Sequence, residues 1–386
     1  MRRSFAVFGF AVVTAGRPAL AQGSFPNVRL VGRLQEQFYA FGNGDYAGAV
    51  GPESNFFLRR ARIEARGEIT ERVTIYLQPS FEGGRSISAS TSCQPVVVNG
   101  PLPDTVAVNC ATSGSGGFRL RDAWIELRLN HPEARTAVFL RAGQEKRPFG
   151  RYELTSSNNL PSIERGAGRG LVAGAPNDLF VAQQFMAHDV GAHARLEHRL
   201  DDHRRLTVTA GVYNGRGESL NDNNNAKSFG FRATAGVWRR LDLGAAFYSA
   251  DAVVAGDSGF RHHAWEVDGQ WGRPGDEGLY VVADYTQGQD ATAARHTMRG
   301  FTAVAAYHIR IKHPRSWLYA VEPALRFDYA DPDTRAADNG ATLFTAVAGV
   351  YLSSRAQFRV AYERQDFQSS GAPSISGMRT ALTVNF

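Results

Sequence analysis

Apolar and polar residues alternate with a period of two along most of the chain, and no segment repeats its apolar positions at the spacing of an amphipathic helix. The stretch LTVTAGVYN at residues 206–214 is representative, with Leu206, Val208 and Val212 on one face and Thr207 on the other. The alternation predicts sixteen β-strands, at residues 28–41, 54–68, 72–83, 117–130, 136–147, 186–199, 204–214, 228–239, 241–250, 261–273, 278–287, 299–312, 316–329, 341–352, 355–367 and 377–386. The chain is therefore predicted to be all-β.

The connections between these strands alternate between short and long. The short ones include residues 69–71, 201–203 and 353–354, whereas the long ones include 84–116 and 148–185. A meander whose turns are short at one end and long at the other is typical of bacterial outer-membrane proteins. We therefore predict a 16-stranded antiparallel transmembrane β-barrel with short periplasmic turns and long extracellular loops.

The last strand, MRTALTVNF, directs Thr380, Leu382, Val384 and Phe386 to one face. A terminal strand that ends in Phe resembles the assembly signal of bacterial outer-membrane barrels. The expected partners are therefore outer-membrane lipid, lipopolysaccharide and the barrel assembly machinery, the last through Phe386. Sixteen strands enclose an aqueous lumen, because only barrels of about eight strands are filled by their own side chains.

The faces opposite the lipid carry many arginines. In FFLRRARIEARGEI, at residues 56–69, alternation places Phe57 on the outer face and Arg60, Arg62 and Arg66 in the lumen. The set predicted to line the pore and contact anions is Arg33, Arg60, Arg62, Arg66, Arg141, Arg232, Arg326 and Arg359, and alternation also turns Arg379 inward. Arginine suits anion binding because its charge is permanent and its planar guanidinium group can donate two parallel hydrogen bonds to phosphate or carboxylate oxygens.

Carboxylates share these faces, so the predicted wall is mixed. The four strands between residues 54 and 147 are mainly cationic, whereas strands 261–273 and 278–287 carry acids such as Glu266 and Asp284. The distribution allows two interpretations. Either the arginines select anions, or they only balance the acids of the wall.

The N-terminus has a basic start, an apolar stretch at residues 5–15 and an A-x-A cleavage site at residues 19–21. This pattern predicts a signal peptide at residues 1–21 and a barrel domain at residues 22–386, exported to the bacterial outer membrane. The alternative is a buried N-terminal helix.

The composition excludes some partners. The chain has 43 basic and 37 acidic residues, and this excess is too small to indicate nucleic-acid binding. Lysine occurs only at Lys146, Lys227 and Lys312, so arginine supplies nearly all of the positive charge. Two cysteines, Cys93 and Cys110, are predicted to form a disulfide that pins a loop in an oxidising compartment, the alternative being two free thiols.

The sequence contains no G-x-S-x-G or H-E-x-x-H motif, so no hydrolase or zinc protease is indicated. His262 and His263 point to opposite faces of one predicted strand, which argues against a metal site. GAGRG at 166–170 is either an anion-binding nest of backbone amides or a flexible loop. We therefore expect no enzymatic activity, no metal and no cofactor.

Four segments in order, FFLRRARIEARGEI, VTIYLQPSFEGG, LRDAWIEL and AGQEKRPFGRYELTSSNNLPSIERG, resemble the phosphate-selective porin O and P family. The resemblance implies a homotrimer of barrels whose third long loop, residues 148–185, folds into the lumen. The residues that the resemblance places in this constriction loop are Arg147, Arg151, Arg165 and Arg169.

The function implied by the resemblance is passive diffusion of small hydrophilic solutes with anion preference, extending to phosphate or polyphosphate. The phosphate-selective members of the family are lysine-rich along the lumen, and this chain departs from them because lysine is nearly absent. The alternatives are a general porin without selectivity, and a structural or adhesin barrel without conductance.

Overall fold

The computed structural model describes residues 25–82, 91–97, 106–112, 119–201, 204–218, 225–252, 260–292, 294–313 and 317–386. The predicted signal peptide at residues 1–21 lies outside the described residues. No helix in the described ranges is long and apolar enough to cross a membrane.

Within the described part of the chain, sixteen strands close into one antiparallel barrel, as the alternation predicted. The barrel strands are β1 (Asn27–Phe41), β2 (Ser54–Glu68), β3 (Val73–Ser80), β6 (Arg119–Arg128), β7 (Thr136–Lys146), β8 (His188–Arg199), β9 (Arg205–Tyr213), β10 (Ser228–Trp238), β11 (Leu241–Ala252), β12 (Phe260–Trp271), β13 (Gly278–Gln289), β14 (Thr297–Arg310), β15 (Ala320–Asp331), β16 (Ala341–Tyr351), β17 (Ala356–Phe367) and β18 (Ile375–Asn385). Two further strands, β4 (Thr91–Val97) and β5 (Val106–Thr112), form a separate hairpin between β3 and β6. The alternation did not predict this hairpin.

Cys93 and Cys110 are register partners across the β4–β5 hairpin. Their side chains lie outside what the structure describes, so the disulfide between them remains a prediction.

The barrel closes where β1 pairs with β18, in a register that sets Leu34 opposite Val384. Gly32 and Phe386 exchange two backbone hydrogen bonds of 2.7 and 3.0 Å at this seam. A Cβ at Gly32 would lie 2.3 Å from the ring of Phe386, so a larger residue there would push this exposed ring aside.

The two ends of the barrel differ in their connections. At one end, here called the short-turn end, residues 69–72 join β2 to β3 and residues 352–355 join β16 to β17. The start of β1 and the end of β18 also lie at this end. At the other, the long-loop end, β1 and β2 are joined by 42–53 and β7 and β8 by 147–187. These longer connections include the short helices α1 (Ala47–Val50), α2 (Arg151–Leu154) and α3 (Pro176–Ala182), and a 3₁₀ turn at Gly44–Tyr46.

The outer and inner faces have the composition that a bilayer and an aqueous lumen require. Apolar side chains such as Phe229, Leu325 and Leu382 are exposed on the outside. Polar and charged side chains such as Gln35 and Glu363 are buried inside, where they can bond to one another.

Two β-bulges interrupt the strict alternation. The pairing of β1 with β2 shifts between Gln35 and Glu36, which leaves Arg59 as an extra residue, and the pairing of β3 with β6 shifts at Gln78, which leaves Arg121 as an extra residue. Beyond each bulge, positions that strict alternation assigns to the outer face point into the barrel, and the reverse. The prediction that Phe57 faces the lipid is therefore wrong.

The connection between β7 and β8, residues 147–187, packs inside the barrel. Tyr152, Leu160 and Ile163 form an apolar cluster with lumen-facing wall residues that include Val282 and Val347. Phe149, Phe180 and Phe185 form a second cluster against β9 and β11. Burial of this apolar surface fixes the loop, from here on called the inner loop, against one side of the wall.

Candidate functional site

The inner loop covers the acidic part of the wall. Glu266 on β12 accepts hydrogen bonds of 2.6 Å from the backbone N–H groups of Gly150 and Arg151. The N–H of Tyr152 donates to Asp284 on β13 at 3.3 Å. These acids satisfy the first turn of α2, whose N–H groups have no partner within the helix.

Three arginines predicted to contact anions lie beneath the inner loop. Arg232 donates to Asp268 at 2.5 Å and to Glu266 at 3.3 Å. Arg326 donates to the carbonyl of Glu164 at 2.7 Å, and Arg359 to the carbonyl of Ser162 at 3.3 Å. Their side chains point into the barrel, but the loop covers them. The prediction that these three line the open pore is corrected on this ground.

Arg60 and Arg379 are covered in the same way. Arg60 is 1% exposed, bonds to Gln35 and lies 3.6 Å from Glu164 of the inner loop. Arg379 donates to the carbonyl of Arg169 at 2.9 Å and pairs with Glu363 at 2.9 Å. Both are therefore anchors of the loop.

Two of the four predicted constriction arginines also serve as anchors. Arg147 is 1% exposed, pairs with Asp189 at 2.8 Å and donates to the carbonyl of Met186 at 2.8 Å. Arg151 turns to the acidic wall, where it donates to Gln270 at 3.1 Å. The prediction that both face the constriction is corrected accordingly, whereas Arg165 and Arg169 do face open space.

The open part of the lumen lies between the inner loop and the cationic wall formed by β1, β2, β3, β6 and β7. A cavity of about 330 Å³, the middle cavity, occupies this space. It is lined by six basic side chains, not counting His188, and three carboxylates. The basic residues are Arg33, Arg62, Arg121, Arg141, Lys146 and Arg165, and the carboxylates are Glu64, Asp122 and Glu145.

The middle cavity is narrowed where the loop reaches across to β1. The guanidinium of Arg33 donates to Ser157 of the inner loop at 2.5 Å and to Glu64 at 3.4 Å. Arg165 is held by Glu153, 3.5 Å away, which also pairs with Lys146 at 2.8 Å. Burial alone would raise the pKa of Glu153, but Lys146 and Arg165 hold that pKa well below its ordinary value, so this carboxylate stays ionised.

Two aromatic rings form part of the same wall. Tyr76 on β3 and Trp124 on β6 stack with ring centroids 5.2 Å apart, and the guanidinium of Arg141 lies 3.8 Å from the ring of Trp124. Arg141 also pairs with Glu126 at 2.6 Å and Glu145 at 2.7 Å. The wall is therefore rigid, because ion pairs and cation–π contacts fix each charged group.

A second cavity of about 340 Å³, the outer cavity, lies nearer the long-loop end and shares Arg121 with the middle cavity. Its basic residues are Arg59, Arg119, Arg121 and Arg169, and its carboxylates are Glu82 and Asp178. Burial would raise the pKa of Glu82, but Arg62 and its neighbours lower it to about 2. The outer cavity therefore has an excess of positive charge.

The GAGRG segment borders the outer cavity without offering a free nest. The N–H of Ala167 donates to Asp178 at 2.8 Å, so a carboxylate of the chain itself occupies that position. Burial raises the pKa of Asp178, which also accepts a hydrogen bond of 3.2 Å from the N–H of Ala175.

A third cavity of about 700 Å³, the inner cavity, opens at the short-turn end and shares Glu64 with the middle cavity. Its charges balance, with Arg29, Arg310 and Arg355 against Glu64, Glu277 and Glu322. Arg66, which was predicted to line the pore, is exposed near this end and lines none of the three cavities. The positive excess is thus confined to the outer and middle cavities.

The sequence prediction missed three arginines of the open side, namely Arg59, Arg119 and Arg121. All three depend on the two bulges, because strict alternation assigns them to the outer face. The one available signal was Pro79, which pairs with Leu120 beside the bulge on β6. Proline within a sheet is found mainly at edges and bulges.

A model of the family described as phosphate-selective porin O and P matches residues 28–257, more than half of the chain. The chain belongs to this family. The matched residues include the cationic wall and the inner loop, whereas the acidic wall residues Glu266 and Asp284 follow them in the chain. The resemblance found in the sequence is thus confirmed. No curated protein matches the chain.

Solved structures show the same fold at low identity. The anion-selective porin from Comamonas acidovorans is 11% identical with a TM-score of 0.56, over 94% of this chain and 100% of that one. Salmonella typhi OmpF, solved with daunomycin, is 13% identical with a TM-score of 0.57, over 93% and 97%. Vibrio cholerae OmpT, described as a trimer form, is 11% identical with a TM-score of 0.54, over 94% and 99%.

These findings establish an outer-membrane porin of a bacterium. Family and fold both indicate a channel rather than an enzyme. The short-turn end is accordingly the periplasmic end and the long-loop end the extracellular one.

Proposed function

We propose that this porin conducts small anions along the open side of its lumen, through the outer, middle and inner cavities in turn. The observation that carries the proposal is the position of the inner loop. It lies over the acidic wall and leaves a middle cavity with six basic residues and three carboxylates. A cation in that cavity meets net repulsion and an anion meets net attraction.

The solute-contacting residues of this proposal are Arg33, Arg62 and Arg141 on the wall and Arg165 and Arg169 on the inner loop. Arg59, Arg119 and Arg121 are added to them because the bulges turn these residues inward. Several of these guanidinium groups pair with carboxylates, so they act mainly as a fixed positive field and less as free ligands. This favours transit of small anions, phosphate included, over strict selection of phosphate.

Further parts of the proposal concern assembly. We infer a homotrimer, which is supported by the family resemblance and by the trimeric form of the similar Vibrio protein. Residues 1–21 are the export signal, Phe386 at the barrel seam is the contact for assembly, and lipid and lipopolysaccharide surround the barrel. No enzymatic activity accompanies the channel.

The test is planar-bilayer recording of the purified porin under a KCl gradient. The expected reversal potential has the sign that chloride permeation gives. A reversal potential near zero would favour a general porin, and one of the opposite sign would refute anion preference. No conductance at all would favour the structural or adhesin alternative.

A further inference from the structure

We propose that the outer cavity is a capture site for organic carboxylates that carry an apolar body about the size of benzoate. This inference rests on the proposed anion channel and names a solute class for it. Four arginines supply the charge, and two of them, Arg119 and Arg169, form no ion pair within the described part of the chain. These two are free to bind a carboxylate, whereas most cations of the middle cavity already have one.

The bulge on β2 adds an apolar surface to the outer cavity. It turns the half-buried ring of Phe57 inward, where the guanidinium of Arg169 lies 4.5 Å from the ring centroid. Tyr39 supports the ring by an edge contact with centroids 6.1 Å apart. Bulges commonly re-aim one side chain in this way.

The facing side of the outer cavity is also apolar. Ala167, Leu171 and Ala173 of the inner loop line it, and Ala173 is exposed. Arg119 and Arg121 on β6 also line the outer cavity. A solute in this cavity therefore meets guanidinium groups and apolar surface side by side, which is the usual composition of a site for an organic ligand.

Anions without an apolar body would use only the arginine part of this surface. Phosphate and acetate can bind the arginines, but they have little or no body to cover Phe57 and the loop alanines. Covering one face of an aromatic ring is worth about a tenfold gain in affinity on the basis of buried apolar area. Benzoate should therefore bind about tenfold more tightly than acetate, which has the same charge.

The test measures block of the chloride current in planar bilayers by benzoate, acetate and inorganic phosphate, each added to either side in turn. We expect benzoate to block at about tenfold lower concentration than acetate, and more strongly from the extracellular side, since the outer cavity lies near that end. Phe57→Ala should remove the difference between benzoate and acetate. Phe57→Leu, which keeps the bulk, should retain part of it.

Arg169→Gln and Arg119→Gln should weaken block by both carboxylates. The matched control is Arg335→Gln, which removes one exposed charge from another extracellular connection and should change neither. Equal block by benzoate and acetate in a channel that still prefers chloride would overturn the capture site and leave the proposed function intact. Stronger block by phosphate than by benzoate would also overturn it, whereas loss of chloride preference in the unmodified channel would refute the proposed function itself.

Discussion

Replacing Arg62 and Arg121 by glutamine should reduce the anion preference of the channel by a calculable amount. Both side chains line the middle cavity, and Arg121 also lines the outer cavity. A unit charge about 7 Å from a permeating ion contributes about 0.6 kcal/mol in water, and screening at 0.1 M salt leaves about 0.3 kcal/mol. Because an anion gains this energy and a cation loses it, each arginine should change the permeability ratio about threefold, and the pair about eightfold.

The same calculation predicts how the effect depends on salt. At 1 M salt the Debye length falls to about 3 Å, so the loss caused by both substitutions should be less than about twofold. The assay is the reversal potential under KCl gradients centred on the two concentrations. The control removes two exposed charges outside the lumen, Arg239→Gln with Arg335→Gln, and should leave the ratio unchanged.

Two results would refute this reasoning. Unchanged selectivity at low salt would mean that these arginines only balance nearby acids, because Arg62 is paired with Glu82 and Arg121 with Glu218. An effect of equal size at both salt concentrations would indicate direct binding or a structural change instead of a screened field.

Two further predictions concern the inner loop. Arg379→Gln removes hydrogen bonds to the carbonyls of Ala167 and Arg169 and leaves Glu363 unpaired, and breaking such a buried pair costs about 3–5 kcal/mol. Single-channel recording of this variant should show larger and noisier currents, because the inner loop is less firmly held. The control variant Arg364→Gln, on the exposed side of β17, should leave the currents unchanged. Arg59 and Arg60 hold the pKa of Glu164 well below its ordinary value, although burial opposes this. The ion pairs of Glu164 therefore stabilise the folded loop fully above pH ~4.3, and this stability is lost only as the pH falls through the lower folded-state pKa. Channel noise should therefore stay constant from neutral pH to about 4, and a rise near pH 5 would contradict this contribution of Glu164.

The barrel was predictable because two independent patterns agree. Alternation specifies which face of each strand meets lipid, and the alternation of short and long connections specifies an up-and-down meander. The prediction failed at Phe57, Arg59 and Arg121 because the pattern of apolar and polar residues does not show where a strand contains an extra residue. A bulge is defined by pairing with the neighbouring strand, and pairing is not visible in a single segment.

The position of the inner loop could not be predicted from the sequence for a related reason. Alternation shows that Arg62 and Arg326 both point into the barrel, but it cannot show which of them the loop will cover. The apolar lumen positions Val282, Val304 and Val347 were the available signal, since apolar residues on an aqueous face need a cover. They mark the side of the wall on which the loop packs.

The mixed charge of the covered wall follows from the backbone of the inner loop. Where the loop begins, at Gly150 and Arg151, it presents N–H groups, and the wall opposite supplies carboxylates. Further along it presents the carbonyls of Ser162, Glu164 and Arg169, and the wall supplies arginines instead.

A buried loop must bond every such group, because an unpaired backbone group costs as much as a lost hydrogen bond. The group that each arginine contacts therefore shows which of two roles it has, a distinction that the sequence does not reveal. Arginines bonded to loop carbonyls hold the channel in shape. The arginines that line the outer and middle cavities provide the field that a permeating anion meets.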